Sequence, residues 1–539
     1  MTAPPAGVSD IPGPIPLRLV VASLILAGVA VAGRRGIKAA AIETARATRR
    51  EAQEAGLVHI LALLAIVAIG IALRLHFYFG PMRWDESYTF IAYVSKPLEP
   101  AISLYDYPNN HVFHTLLAHV SCVTLSDLST CSPGAIRAPV FAAGVLVPVA
   151  AYAGGLRLYG RHVALFTAAA TASAAQLVEY STNARGYAIV ALAAAAQVAL
   201  APQLLRSSNA AWWGAFSLVA ALGFYTVPVY AYPFTIVVAA LAGAILLGQV
   251  ADRWRRMLVL LGAVGATMAF TALLYGSTVD DVLAGGSVAH QHDYAADERA
   301  VGEAVWRMWT LGLPDVVQYV LIAGLAASVL RTVLQWRSDV PLSLSFVAVV
   351  AAAGVTHHVV EYTRVWLPLL PIFLVCAISG VLGWSRVRRV LRNRKVDGAV
   401  SIVAVAATVA LAVVVADRRL ADKEPAYLPA AQSIASTLLP RLTAEDHVLV
   451  SLNGWYMEAY AFVRAELPAQ LLAVEVTPEV AARGRTYLVV NTLLGEKLST
   501  ALATMAKGTG LRPVRRLARF DGADLYLLGH RPAAGAKRR

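Results

Sequence analysis

The sequence predicts an all-α polytopic membrane protein of about twelve transmembrane helices, completed by a C-terminal extracytoplasmic α/β domain. Three observations carry that prediction. First, 58% of the 539 residues are hydrophobic, only 15% are charged, and the mean hydropathy is +0.61. A soluble domain carries roughly 25% charged residues. Second, the apolar residues gather in long Ala, Val and Leu runs near the length that crosses a bilayer. Third, from Asp417 onward short β-type runs alternate with helical ones. The net charge of +13 forms no single basic face, which argues against a nucleic-acid partner. It falls in clusters between apolar runs, the arrangement that sets membrane topology.

Taken in order, residues 1–16 are Pro-rich and read as disordered. Leu17 to Gly33 is the first apolar run, and Arg34, Arg35, Lys38, Arg46, Arg49 and Arg50 follow it. A cleaved signal peptide carries its charge before the apolar core. This run therefore reads as a retained helix with its N-terminus outside, and residues 1–56 as an extra N-terminal segment. The transmembrane body spans 57–416. Its runs are Leu57–Leu73, Ala138–Leu156, Val163–Val178, Ala188–Leu205, Ala211–Phe224, Pro233–Val250, Met257–Leu274, Val316–Leu330, Leu342–Val355, Val365–Gly383 and Val400–Val415. Alternation from an external N-terminus places a basic group in every inside connection: Arg34 to Arg50, Arg157 with Arg161, Arg206, Arg253 to Arg256, Arg331 with Arg337, and Arg386 to Lys395. The cell membrane is thus the predicted location, with the lipid bilayer as a partner.

The outer face collects the polar features. Leu57–Leu73 runs outward and delivers Arg83-Trp84-Asp85-Glu86-Ser87-Tyr88, two adjacent carboxylates between interfacial aromatics. Ser87 to Val94 reads as a short helix. His111 to Thr124 reads as an amphipathic helix along the interface, with His111 and His114 on one face. Cys122 and Cys131 lie close together outside, where a disulfide can form, although spacing alone does not show the geometry. Arg137 opens the next span. Glu179 to Tyr187, with Arg185 inside it, occupies another outer turn, and His357 to Arg364 a third. Arg185 or Arg364 can pair structurally with Glu179 or Glu361, or bind phosphate through the guanidinium fork. Gly276 to Leu313 is a long external connection holding Asp280, Asp281, His290, His292, Asp293, Glu298, Trp306 and Trp309.

In residues 417–539, Val448–Leu452 and Tyr487–Val490 read as buried strands, and Trp455–Glu466 and Leu494–Lys507 as helices. Asp521-Gly522 between Arg515–Phe520 and Leu525–Leu528 is a hairpin signal. Twelve crossings return this domain to the outside.

The order of these motifs resembles the GT-C fold glycosyltransferases that use polyprenyl-phosphate sugars, the superfamily of protein mannosyltransferases and aminoarabinose transferases. Trp84-Asp85-Glu86 resembles that family's acidic signature after its first core helix. Asn109-Asn110-His111 resembles its membrane-surface segment, Arg137-Ala138-Pro139 its Arg-x-Pro helix, Ala184-Arg185-Gly186-Tyr187 its Ala-Arg-x-Tyr turn, and Arg364 with Pro368 its Arg-x-x-x-Pro helix. The similarity covers about residues 57–385. It implies transfer of a hexose or pentose from a polyprenyl-phosphate donor to a hydroxyl of a glycan, lipid or protein acceptor in a bacterial cell envelope. Asp85 would be the general base, and the anomeric centre would invert. Glu86, His111, Arg137, Arg185, Tyr187 and Arg364 would contact substrate, with Arg185 and Arg364 on the departing phosphate. A divalent cation, magnesium or calcium, held by Asp85, Glu86 or the long loop stays open as a cofactor. Two rivals belong to other classes. A transporter or flippase would show polar breaks at the midplane and repeated halves, whereas here the polar residues gather at one surface. A non-catalytic scaffold with an external binding domain would leave the Asp85, Arg185 and Arg364 set unexplained.

Overall fold

The structure is a computed structural model that describes residues 15–105, 109–207, 209–282, 298–355, 362–384, 387, 391, 394–417 and 427–530. The helices in chain order are α1 (Leu17–Ala32), α2 (Arg34–Ala55), α3 (Leu57–Tyr78), α4 (Trp84–Thr89), α5 (Leu98–Ser103), α6 (Val112–Leu125), α7 (Pro133–Tyr159), α8 (Arg161–Ser173), α9 (Ala175–Glu179), α10 (Tyr187–Arg206), α11 (Ala210–Thr226), α12 (Ala231–Leu246) and α13 (Arg253–Tyr275). They continue as α14 (Glu298–Trp309), α15 (Asp315–Leu334), α16 (Leu342–Val355), α17 (Leu370–Leu382) and α18 (Arg394–Ala416). Each of the apolar runs is helical. Eight helices among the described residues are long and apolar enough to cross a membrane, or nine if α1 and α2, bent by 74°, make one span. The chain is a multi-pass helical membrane protein.

Two runs depart from the sequence reading, each for a local reason. Val163–Val178 is not one helix but α8 and α9, broken at Ala174. Arg74 of α3 causes the break to be tolerated. Fully buried, it donates to the carbonyls of Ala172 (2.8 Å) and Thr171 (3.4 Å) at the end of α8, and to the Ser181 hydroxyl (3.1 Å) beyond it. Helix-end carbonyls inside a bilayer have no water to bond, and a cation at a helix C-terminus satisfies them. The long connection after Tyr275 is also not all loop, since it contains α14. Trp306 and Trp309 share one face of that helix and pack against Phe373, at ring separations of 5.9 and 5.4 Å. The histidines and acid expected as loop ligands, His290, His292 and Asp293, lie outside the described residues, as does His357 to Glu361.

The C-terminal unit adds α19 (Ala431–Leu438), α20 (Leu452–Arg464), α21 (Pro478–Ala481) and α22 (Leu498–Met505) around five strands. These are β1 (His447–Leu449), β2 (Leu472–Ala473), β3 (Thr486–Val490), β4 (Leu511–Phe520) and β5 (Ala523–His530), in the order β2-β1-β3-β5-β4. β1 pairs parallel with β2 and β3, while β5 pairs antiparallel with β3 and β4. Asp521-Gly522 joins β4 to β5, with Gly522 at φ 80°, the positive value this hairpin turn requires. The expected strand at Val448–Leu452 ends early, at Leu449, because Leu452 starts α20.

This unit is not a pendant. Its core is continuous with that of the polar segment after α3: Phe90, Ile91, Val94 and Cys122 belong to the same buried cluster as Trp455, Tyr460, Phe462 and Leu525. The main bundle core is separate and runs through α7, α10, α12 and α17, with Val190, Leu241 and Phe373 among its members. Cys122 and Cys131 are disulfide-bonded, and Cys376 is a buried free thiol.

Candidate active site

The site begins at the C-terminal end of α3, where the chain leaves the bundle and turns into α4. A six-residue helix has little stability of its own, so its ends need partners. The start of α4 is closed by a capping box: the Arg83 backbone N–H donates to Glu86 Oε2 at 2.9 Å. Glu86 also accepts from Arg137 through a two-pronged pair, Nε to Oε1 and a terminal nitrogen to Oε2, both at 2.7 Å, and from the Ala184 N–H at 2.7 Å. Arg137 spends its remaining donors on the carbonyls of Tyr78, Gly80 and Pro81 at 2.7–2.9 Å. All five of its N–H groups are thereby used, and both side chains are buried. Sequence reasoning expected both residues to contact substrate; here they are consumed in joining α3, α4, α7 and the α9–α10 turn.

Burial pushes the Glu86 carboxyl up, but the charge and hydrogen bonds of Arg137 outweigh it, and the group sits below its ordinary value. Since the folded value lies below the unfolded one, about 4.3, the stabilisation is fully present above that pH. It is lost only as the pH falls through the lower, folded value. Arg137→Ala would take from a buried carboxylate its hydrogen-bonded counter-ion, leaving only the charge of Arg83, at a cost of about 3–5 kcal/mol. We expect thermal unfolding of the solubilised variant to show a clear drop in Tm at neutral pH, whereas an unchanged Tm would remove Glu86–Arg137 from the scaffold.

With Glu86 turned inward, Asp85 is turned to the cleft. Its Oδ1 lies 3.6 Å from a terminal nitrogen of Arg185, and its Oδ2 lies 3.5 Å from one of Arg364. Three segments far apart in sequence therefore meet at one carboxylate. Arg185 is 2% exposed, Asp85 16% and Arg364 31%, so the site opens on the Arg364 side. Of the structural pairings that the sequence left open, those with Glu361 lie outside the described residues; Glu179 meets Arg83 at 3.2 Å, and the charge of Arg364 also acts on it. Arg364 stands in a 3-10 turn, Thr363–Leu369, rather than a regular helix, and it interacts with the side chains of Tyr187 and Tyr180.

Arg185 is fixed from below by Asn109, whose side-chain oxygen accepts from it, and it lies beside His111 at 3.1 Å. Asn109 is a site residue the sequence reading quoted only as part of a motif. His111 Nδ1 accepts the Gly186 N–H at 2.9 Å. A neutral ring has one acceptor nitrogen, so it can accept from only one of the two donors that face it, the Gly186 N–H at Nδ1 and an Arg185 N–H at Nε2. Burial, then the charge of Arg185, hold His111 well below its usual value and keep it neutral. Gly186 is needed for this approach, because an added Cβ would lie 3.0 Å from His111 Nδ1 and overlap Thr226. Tyr187 packs edge-on against His111 and Tyr180, at 4.7 and 5.0 Å. Several donors around Asp85 are buried without a partner among the described residues: Nε of Arg185, Nε of Arg364 and Nδ2 of Asn109.

The described residues do not present a cation site. No group of three His, Cys, Asp or Glu side chains converges among them. Glu86 has its oxygens bonded to N–H groups, and Asp85 faces two cations, which would repel a third. A hard divalent ion wants six or more oxygens. Elsewhere in the bundle, an apolar cavity of about 350 Å³ lies between α8, α15, α17 and α18, with Ser173 and Ala174 at the break of α8 and Trp309 among its walls.

No protein-family model matches the sequence, and no curated protein matches it. Solved structures do. The chain is similar to ArnT from Cupriavidus metallidurans bound to undecaprenyl phosphate, at 14% identity and a TM-score of 0.55, over 86% of this chain and 97% of that one. It is also similar to the Archaeoglobus fulgidus oligosaccharyltransferase in complex with Zn and sulfate, at 13% identity and a TM-score of 0.53, over 84% of this chain and 70% of that one. At these identities the likeness is one of architecture: this chain has the GT-C fold of membrane glycosyltransferases.

Proposed function

We propose that the protein is a glycosyltransferase that moves a sugar from a polyprenyl-phosphate donor to an acceptor hydroxyl on the extracytoplasmic face, with inversion. The observation that carries this reading is the Asp85 carboxylate, set between Arg185 and Arg364, with buried donors around it that have no hydrogen-bond partner among the described residues. Two guanidinium groups and those donors around a single carboxylate suit a further anion. A phosphate oxygen placed there would accept from Arg185, Arg364 and Asn109. The solved structure that holds undecaprenyl phosphate supports the choice of a lipid phosphate, and the apolar cavity at the α8–α9 break is of a character that suits a prenyl chain.

In the proposed step Asp85 takes the proton from the acceptor hydroxyl as that oxygen attacks the anomeric carbon. The new C–O bond forms on one face while the bond to the phosphate oxygen breaks on the other, and its electron pair stays on the phosphate. The guanidinium groups that face Asp85 turn to the phosphate as its charge grows, which stabilises the transition state more than the ground state. Glu86 and Arg137 hold the α4 segment, and Tyr187 orients His111 and Arg364. Residues 57–416 would make up the catalytic body and 417–539 an extracytoplasmic domain. The test is an assay of the purified protein against a panel of polyprenyl-phosphate sugars, scored for lipid-phosphate release. Acceptor-dependent release from at least one donor is expected, and silence across the panel would remove the proposal.

A further inference from the structure

We infer that the C-terminal α/β unit is a positioning element for Asp85, acting through Tyr456 and Tyr460 of α20. The inference rests on Asp85 being the base, and its test separates the two. α4 has two flanks. On one, Glu86 is tied to Arg137. On the other, Trp84 and Tyr88 are four apart, share a face and stack at 5.4 Å. Tyr88 meets Tyr93 at 5.8 Å, and from the C-terminal unit Tyr456 packs edge-on against both rings of the pair, at 5.1 Å from Trp84 and 4.8 Å from Tyr88. One turn further along α20, Tyr460 meets Phe90 at 5.2 Å, where α4 passes into a π-turn, Phe90–Val94. The Tyr460 hydroxyl then donates to the Cys131 carbonyl at 2.7 Å, a buried bond across 329 residues of chain. Cys131 is itself tied to α6 through Cys122. Asp85 thus sits on a short helix gripped on one side by an ion pair and on the other by two tyrosines from the far end of the sequence.

Edge-to-face rings fix direction as well as distance. Loss of one grip would let α4 rock about the other, and a displacement near 1 Å at a reacting group lowers rate by up to about 10²-fold. Tyr456→Ala in the full-length purified protein is therefore expected to lower kcat about 10–100-fold with donor KM unchanged, because Arg185 and Arg364 stand on other elements. Hydrogen exchange in residues 84–94 should rise, with that of α10 unchanged. Tyr456→Phe keeps the ring contacts and should restore both readouts. If exchange in 84–94 does not rise in Tyr456→Ala, or rises with kcat unchanged, the positioning role is wrong. An active Asp85→Asn would instead sink the base assignment, while exchange in 84–94 still reports on the grip. Should Tyr456→Ala not fold, Tyr460→Phe removes only the hydroxyl bonded to Cys131. It is then read by the same two measurements, with a smaller loss expected and no change in either overturning the inference.

Discussion

Asp85→Asn is expected to lower transfer by about 10²–10⁴-fold, the usual contribution of a placed general base, without reducing expression or membrane insertion. The side chain stays nearly the same size. The segment around it is held by groups the substitution does not touch: Glu86 by Arg137 and Ala184, and the Thr89 hydroxyl by the Asp85 backbone carbonyl at 2.8 Å. What changes is the negative charge between Arg185 and Arg364 and the ability to take a proton. Donor binding should survive or strengthen, since the two guanidinium groups then have no carboxylate competing with a phosphate. Lipid-phosphate release, measured beside donor affinity, separates these effects. A purified variant that keeps most of its activity would show that some other group is the base.

Arg364→Ala should fall almost as far, but through the donor. Removing one preorganised donor to a developing charge costs about 10²–10³-fold in rate where such effects have been measured. Arg364 is the better probe of the pair, because Arg185 is buried against Asn109 and His111 and its removal would leave buried polar groups unpaired. Arg364 is a third exposed, and besides Asp85 it meets Tyr362, beneath the guanidinium at 4.8 Å, Tyr187 and Tyr180. The expected pattern is a larger loss in donor use than in acceptor use, read from kcat/KM for each substrate varied in turn. Equal losses would mean that Arg364 only holds Asp85 in place.

Much of this was legible from residue order alone. The twelve apolar runs are helical because a bilayer-length stretch of Ala, Val and Leu has no alternative that satisfies its backbone. The Asp521-Gly522 hairpin follows from the need for positive φ in a two-residue turn. Arg74, at the end of the Leu57–Leu73 run, went unremarked in the sequence, because its partners Ala172 and Ser181 lie about a hundred residues away. The motifs were found, yet two of the residues in them, Glu86 and Arg137, serve each other rather than the cleft.

Local chemistry, then, was written into the chain: which stretches are helical, where the turns fall, and which side chains carry charge at the edge of the apolar runs. Partnership was not. Hydropathy and spacing act over a few residues, whereas Glu86 finds Arg137 at a separation of 51 and Ala184 at 98. Each acid stood near several arginines in any reading of the sequence, and only packing assigned Glu86 inward to one of them and left Asp85 between two others. The same holds for the sheet unit, whose contact with Trp84 and Tyr88 depends on how ten or more helices stack, a quantity with no local signature.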